Sequence, residues 1–230
     1  MEAIVLAGGK AERMGDAADG RPKSLVDVAG RPLLAYQLGR LAAAGVERII
    51  VSCAADQGDT FGDELAGLGV EIVCAPEPER LGRGGGIKFA ARKREESGDV
   101  IAMNGDELVD VDFGALLDRH RETGAAATVT VARPASPFGV VELRDDDVIT
   151  GFSEGGRIPY WVNCGVYVLS EEAIERFPDK GDHESTAFPE LAAEGRLRAY
   201  RHEGLWLTVN TPKELRRARE HVEDHPEWLA

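Results

Sequence analysis

The chain has 230 residues and a formal net charge of −14 at pH 7, with 43% hydrophobic and only 6% aromatic residues. That length supports one substantial core of aliphatic side chains, and the acidity excludes nucleic acid as a partner. No apolar run approaches membrane-spanning length, so no membrane partner is expected.

Ile4-Val5-Leu6-Ala7 reads as a buried first strand. Gly8-Gly9 then lets the backbone turn sharply and approach a ligand without a Cβ in the way. Backbone N–H groups bared by such a turn make an anion cradle. Lys10, Arg13 and Lys23 surround it with positive charge, Arg able to grip a phosphate through two parallel hydrogen bonds. The loop is read as the seat of a nucleoside triphosphate. Neither Gly-x-Gly-x-x-Gly nor a Gly-Lys-Ser/Thr ending is present, which disfavours dinucleotide enzymes and P-loop ATPases.

Downstream, 33–41 reads as a helix with Leu34, Leu38 and Leu41 on one face, and 48–51 as a second buried strand. A helix over 63–68 and a third strand over 70–74 complete a β-α-β-α-β alternation, which predicts a parallel, doubly wound sheet. In such sheets ligands lie at the carboxyl ends of the strands, where the first loop sits. Glycines 82, 84, 85 and 86 precede a helix expected to run to about Glu96. Helix N-termini favour negative charge, so the segment is read either as a second ligand-facing turn or as a flexible loop with no ligand. Strand 100–103 ends in Asn104-Gly105-Asp106-Glu107, where a carboxylate is well placed to hold Mg²⁺ against phosphate oxygens.

A helix is expected over 112–120, with His120 at the surface, and a strand over 125–131. Residues 138–149 read as a β-hairpin whose Asp145-Asp146-Asp147 tip is a solvated turn. Helices over 171–177 and 186–194 flank Asp182-His183-Glu184, read as a capping loop because no second, suitably spaced His accompanies it. Strands over 197–200 and 205–209 follow, and Thr211-Pro212-Lys213-Glu214 forms a capping box that opens a last helix to about Glu223. Cys53, Cys74 and Cys164 lack metal or disulfide spacing and are read as free thiols. Met1 leads directly into the first strand with no signal-peptide pattern, so a cytoplasmic protein is expected.

Leu6-Ala7-Gly8-Gly9-x-x-x-Arg13-Met14, followed by Pro22-Lys23-x-Leu25, resembles the signature of the sugar-1-phosphate nucleotidyltransferases. The resemblance continues in order along almost the whole chain. Leu81-Gly82-Arg83-Gly84-Gly85 is similar to the segment that closes over base and ribose, Gly105-Asp106 to the family's metal aspartate, and Gly139-Val140-Val141-Glu142, Phe152-Ser153-Glu154 and Asn163-Cys164-Gly165-Val166-Tyr167 to its sugar side.

The resemblance implies a three-layer, Rossmann-like α/β nucleotidyltransferase fold with a mixed, mainly parallel sheet. It would be one domain, with a nucleotide-binding half to about residue 135 and the sugar-phosphate part after it. It implies transfer of a nucleotidyl group from an NTP to a sugar 1-phosphate, mannose or glucose 1-phosphate for example, with Mg²⁺ as cofactor and pyrophosphate as product. A homodimer is a common assembly among soluble enzymes in general, and no stretch of the sequence identifies an interface. By position, the catalytic residues would be Arg13, Lys23 and Asp106, and the nucleotide-binding residues Leu6, Ala7, Gly8, Gly9, Lys10, Arg80, Gly82, Asn104 and Gly105. Gly139, Glu154 and Asn163 would meet the sugar, and Asp106 with Asn210 the metal.

The departures are specific. Ala11-Glu12 stands in place of Gly-Thr, Arg83 in place of Thr, and Gly155-Gly156 in place of Lys-Pro, with Arg157 the next cation in line. Thr208 replaces the family's second metal aspartate, and Val209-Asn210-Thr211-Pro212 resembles the molybdopterin and cobinamide guanylyltransferases. A guanylyltransferase acting on a cofactor precursor and a non-catalytic nucleotide-sugar sensor are therefore the alternative readings.

Overall fold

Residues 2–6 run through the middle of the protein, which is why this strand is buried on both faces: Ala3 and Val5 join one core, Ile4 the other. The computed structural model describes residues 1–9, 11–136 and 138–228. Its strands in chain order are β1 (Glu2–Leu6), β2 (Asp27–Val28), β3 (Arg31–Pro32), β4 (Arg48–Ala54), β5 (Glu71–Glu77), β6 (Val100–Asn104), β7 (Glu107–Val109), β8 (Ala127–Ala132), β9 (Val140–Leu143), β10 (Ile149–Ser153), β11 (Val162–Leu169), β12 (Leu197–Arg201) and β13 (Trp206–Thr208). Its helices are α1 (Leu33–Ala43), α2 (Gly58–Glu64), α3 (Gly82–Ala91), α4 (Phe113–Thr123), α5 (Glu171–Arg176), α6 (Ala187–Ala193) and α7 (Pro212–Asp224).

Seven strands form one sheet in the order β12-β8-β11-β6-β1-β4-β5. Only β11 is antiparallel to its neighbours β6 and β8, so the expected mixed, mainly parallel sheet is present. Leu34, Leu38 and Leu41 of α1, Phe61 of α2, and Phe113 and Leu116 of α4 cover one face. Ile87 and Ala90 of α3, Ile174 of α5, and Phe188 and Leu191 of α6 cover the other, completing three layers. A third core joins Val28, Leu108 and Val209 to Leu215, Ala218 and Val222 of α7.

Several elements differ from the sequence expectation. The second helix lies at 58–64 rather than 63–68, because burying Phe61 against the sheet outweighs the weak helical pattern further on. Helix α3 ends at Ala91, since the buried Glu2 carboxylate accepts from the N–H groups of Glu95 (2.9 Å) and Glu96 (3.1 Å) and holds them in a turn. His120 is buried rather than at the surface, its Nδ1 2.9 Å from Thr128 Oγ1 and its Nε2 3.4 Å from Asp99. The strand expected over 205–209 shortens to β13 and pairs with β7, a strand hidden in the sequence by its polar start.

The capping box holds. Thr211 Oγ1 accepts from Glu214 N at 3.3 Å, and Glu214 returns a carboxylate oxygen to Asn210 N at 2.7 Å. All three cysteines are free, and among the described residues no helix is long and apolar enough to cross a membrane.

Candidate active site

The carboxyl ends of β1 and β6 are adjacent, because the two strands are parallel partners with Leu6 opposite Asn104. Their following loops therefore open side by side, and a cavity of about 680 Å³ lies over them. Leu6, Gly8, Gly9 and Ser24 line it from the first strand and loop, Asn104, Asp106 and Glu107 from the end of β6 and the turn after it, Glu77 from the end of β5, Arg80, Leu81, Gly82 and Arg83 from the start of α3, Lys180 and Gly181 from the loop before α6, and Asn210 from the start of α7.

Most of the sequence-derived residues meet here. Leu6, Gly8, Gly9, Arg80, Gly82, Asn104, Asp106 and Asn210 all line the cavity. Ala7 is buried behind it, donating its N–H to Ser52 O at 2.7 Å, and Gly105 N donates to Leu6 O at 2.9 Å, which locks the turn carrying Asp106. Lys10 lies outside the described residues.

The centre of the charge arrangement is Lys23. It is nearly fully buried, and its ammonium donates to both Asp106 Oδ2 and Asn210 Oδ1. Arg13 Nη2 donates to the same Asn210 oxygen at 2.9 Å. A carboxylate oxygen and a carboxamide oxygen thus converge on one cation. Such a hard-oxygen pair fits Mg²⁺ as well as it fits an ammonium.

Glu107, absent from the expected set, is buried beside Asp106. It accepts from Trp206 Nε1 at 2.9 Å and from Asn104 Nδ2 at 3.3 Å. Burial, reinforced by the Asp106 charge, pushes its carboxyl up to about 8, against the lowering pull of those two donors. No sequence pattern marked its role: Glu107 is enclosed by pairing with Thr208 across β7 and β13, a contact between distant segments. Gly165, at φ +68°, lies against Asn104 and Glu107, so no side chain fits at this point of β11.

The second wall forms where the loop before α6 zips onto α3. Gly84 N and Gly85 N donate to Gly181 O at 3.0 and 3.3 Å, and Gly181 N donates to Leu81 O at 2.7 Å. Gly82 has φ +77°, and a Cβ there would lie 2.6 Å from Gly181 O. Gly82→Ala is expected to cost about 3 kcal/mol of stability, from a left-handed alanine plus a backbone clash. A thermal melt unchanged from wild type would contradict that packing.

Arg83, at the head of α3, donates to Asp182 and, at 2.8 Å, to Glu184 Oε1. Glu184 also accepts from Asn163 Nδ2 at 2.8 Å and from Tyr167 Oη at 3.3 Å. Metal-capable atoms of Asp182, His183 and Glu184 lie within 4.8 Å of one another. The Arg83 guanidinium already neutralises the two carboxylates, and Thr186 makes no side-chain cap on α6, its Oγ1 donating instead to Asp182 O at 2.8 Å, so the segment is a loop tied back on itself rather than the side-chain cap expected.

The expected sugar residues do not join the cavity lining. Gly139 and Glu154 are exposed at the β9–β10 hairpin, and Asn163 faces Glu184 and Tyr167. Arg157, next in line for a phosphate, instead donates to Arg133 O at 3.0 Å.

A family model for nucleotidyl transferases matches residues 2–225. Mannose-1-phosphate guanylyltransferase of Mycobacterium tuberculosis is 33% identical over 225 residues, covering 93% of this chain and 62% of the relative. The catalytic subunit beta of mannose-1-phosphate guanylyltransferase from Drosophila pseudoobscura pseudoobscura is 31% identical over 221 residues, covering 92% and 60%. The chain thus spans about three fifths of the length of these curated relatives. Among solved structures, HddC from Yersinia pseudotuberculosis complexed with GMP-PN superimposes with a TM-score of 0.74 at 24% identity, covering 96% of this chain and 98% of that one, a likeness of fold. With the family model matching nearly end to end over this sheet and cavity, the chain belongs to the nucleotidyl transferase family.

Proposed function

We propose that the protein transfers a guanylyl group from GTP to a sugar 1-phosphate, releasing pyrophosphate. The observation that carries this reading is the convergence of Lys23, Arg13, Asp106 and Asn210 at the mouth of the first glycine turn. That arrangement suits a reaction in which negative charge gathers on phosphoryl oxygens and no protein nucleophile is required.

An oxygen of the acceptor's phosphate attacks the α-phosphorus, a new P–O bond forms, and the bond from the α-phosphorus to the bridging oxygen of the β-phosphate breaks. The acceptor phosphate is already ionised at neutral pH, so the protein has no proton to remove. Gly8 and Gly9 leave room for the triphosphate, while Lys23 and Arg13 orient it and spread its charge. Asp106 and Asn210 would hold Mg²⁺, which, when bound, neutralises phosphate charge and orients the phosphates.

The base is read from Glu77. Its carboxylate lines the cavity and is held by Ser52 Oγ (2.7 Å) and Leu81 N (2.9 Å), leaving further lone pairs toward the cavity. A carboxylate only accepts, so it complements a base edge rich in N–H groups, as guanine presents. The named guanylyltransferases among the relatives support the same base.

The test is pyrophosphate release from GTP, ATP, UTP, CTP and dTTP with mannose 1-phosphate and glucose 1-phosphate. The expected result is turnover with GTP at least tenfold above the other nucleotides. Binding of GTP without pyrophosphate from any sugar 1-phosphate would favour the sensor or cofactor-precursor readings, which the relatives do not favour.

A further inference from the structure

Two arginines lie over one tryptophan at the end of the sheet that faces the ligand side, and a third is tied to the backbone of the first. The guanidinium carbons of Arg133 and Arg201 lie 4.8 and 5.4 Å from the Trp161 ring centroid. Arg157 is held beside them, its Nη1 on Arg133 O, by a zipper in which Ser136 N donates to Gly156 O (2.8 Å) and Ile158 N to Pro134 O (3.0 Å). Among the described residues no carboxylate lies within 4.0 Å of any of the three; several other surface arginines also lack an acid partner, but these three stand together beside one ring. In a chain with 41 acidic and 27 basic residues, neighbouring guanidiniums without an acid partner concentrate positive potential at one place on the surface, which favours an anion there.

The position supplies the ligand's class. Val162 of β11 pairs with Ala132 of β8, and Arg201 of β12 with Val131. The cluster therefore sits at the carboxyl end of β8 and β12, the same side of the sheet as Asp106. It stands two to three strand spacings from β6, about 10–14 Å. Between them lie Arg83, Glu184 and Asn163, a chain of hydroxyl-binding groups that leads from the cavity wall to two residues short of Trp161. A sugar ring whose 1-phosphate is at the reacting centre would point its far substituent along this path.

We propose that the Arg133–Trp161–Arg201 cluster binds a second anionic group of the acceptor, so that the acceptor is an acidic sugar 1-phosphate, one carrying a further phosphate or carboxylate. This rests on the transfer reading above.

The test is calorimetric titration of mannose 1,6-bisphosphate, glucuronic acid 1-phosphate and mannose 1-phosphate into the full chain. Wild type is compared with an Arg133→Ser/Arg201→Ser double variant and with Arg201→Glu, each checked by its thermal melt. The expected result is binding of an acidic acceptor on the order of tenfold tighter than mannose 1-phosphate. That preference is lost in the double variant, reversed in Arg201→Glu, and weakened by salt, while mannose 1-phosphate binding is unchanged. Which acidic acceptor gains identifies phosphate or carboxylate.

Equal binding of acidic and neutral acceptors, or a preference that survives both variants, would overturn the proposal. So would binding of mannose 6-phosphate as tight as the bisphosphate, because the cluster would then serve a separate ligand. Pyrophosphate release with each acceptor is measured in parallel. Silence with all of them overturns the transfer reading, whereas the binding comparison judges the cluster by itself.

Discussion

Asp106→Ala is expected to lower kcat/KM for pyrophosphate release by about a thousandfold or more, the scale of removing a charge-organising group from a phosphoryl-transfer site. The carboxylate sits at the end of a central strand on a turn pinned by Gly105 N to Leu6 O, and it shares Lys23 with Asn210. Its loss removes an oxygen ligand from the metal position. It also leaves a nearly buried ammonium with a neutral partner, so some loss of stability accompanies the kinetic effect. Asp106→Asn keeps the shape and an acceptor for Lys23, and separates the two effects. Binding of Mn²⁺, followed by electron paramagnetic resonance, is expected to weaken in both variants, and thermal melts to fall mainly in the alanine variant. Retention of activity within tenfold in Asp106→Ala would remove Asp106 from the reaction.

The second large effect concerns His183. Its ring is fully buried, stacked on Phe177 with centroids 4.7 Å apart and edge-on to Phe188 at 4.6 Å and Tyr167 at 5.3 Å. Among the described residues neither ring nitrogen has a hydrogen-bond partner. Burial pushes its pKa down to about 4; Asp182, 3.9 Å away, pulls upward and Arg83 pushes downward. The unfolded chain binds this proton near 6.5 and the folded chain only near 4. The folded protein is therefore favoured above pH 6.5, and that advantage disappears as pH falls toward 4. The loss amounts to about 3 kcal/mol by linkage. The measurement is denaturant unfolding of wild type and His183→Leu at pH values from 7 to 4. The stability difference between them is expected to shift in favour of the leucine variant as pH falls. Parallel curves would mean that the imidazole is protonated in the fold. Because His183 backs the loop that zips onto α3, the same acidification is expected to loosen the Gly181 wall of the cavity before the sheet.

Local chemistry was legible in the sequence wherever a short segment carries its own physics. A buried strand followed by Gly8-Gly9, a carboxylate after Gly105, and the Thr211–Glu214 box each depend on neighbours within a few residues, and each is found where expected. The β-α-β alternation likewise determined the parallel half of the sheet, because right-handed crossovers leave few other arrangements.

What only the tertiary structure decided are contacts between segments far apart in the chain. Lys23 meets Asp106 across 83 positions and Asn210 across 187, so the residue types were visible but their convergence on one ammonium was not. Glu107 is enclosed only because β13, about a hundred positions further along, pairs with β7. His120 carries a polar side chain that sequence pattern assigns to solvent, and only Thr128 and Asp99 make its burial tolerable. The acceptor side was least legible. Gly139 and Glu154 stand on an exposed hairpin, while Arg133, Trp161 and Arg201 come together because β8 and β12 end where the antiparallel β11 begins. Strand identity is written in a few consecutive residues, but which strands end next to one another is set by the packing of the whole sheet.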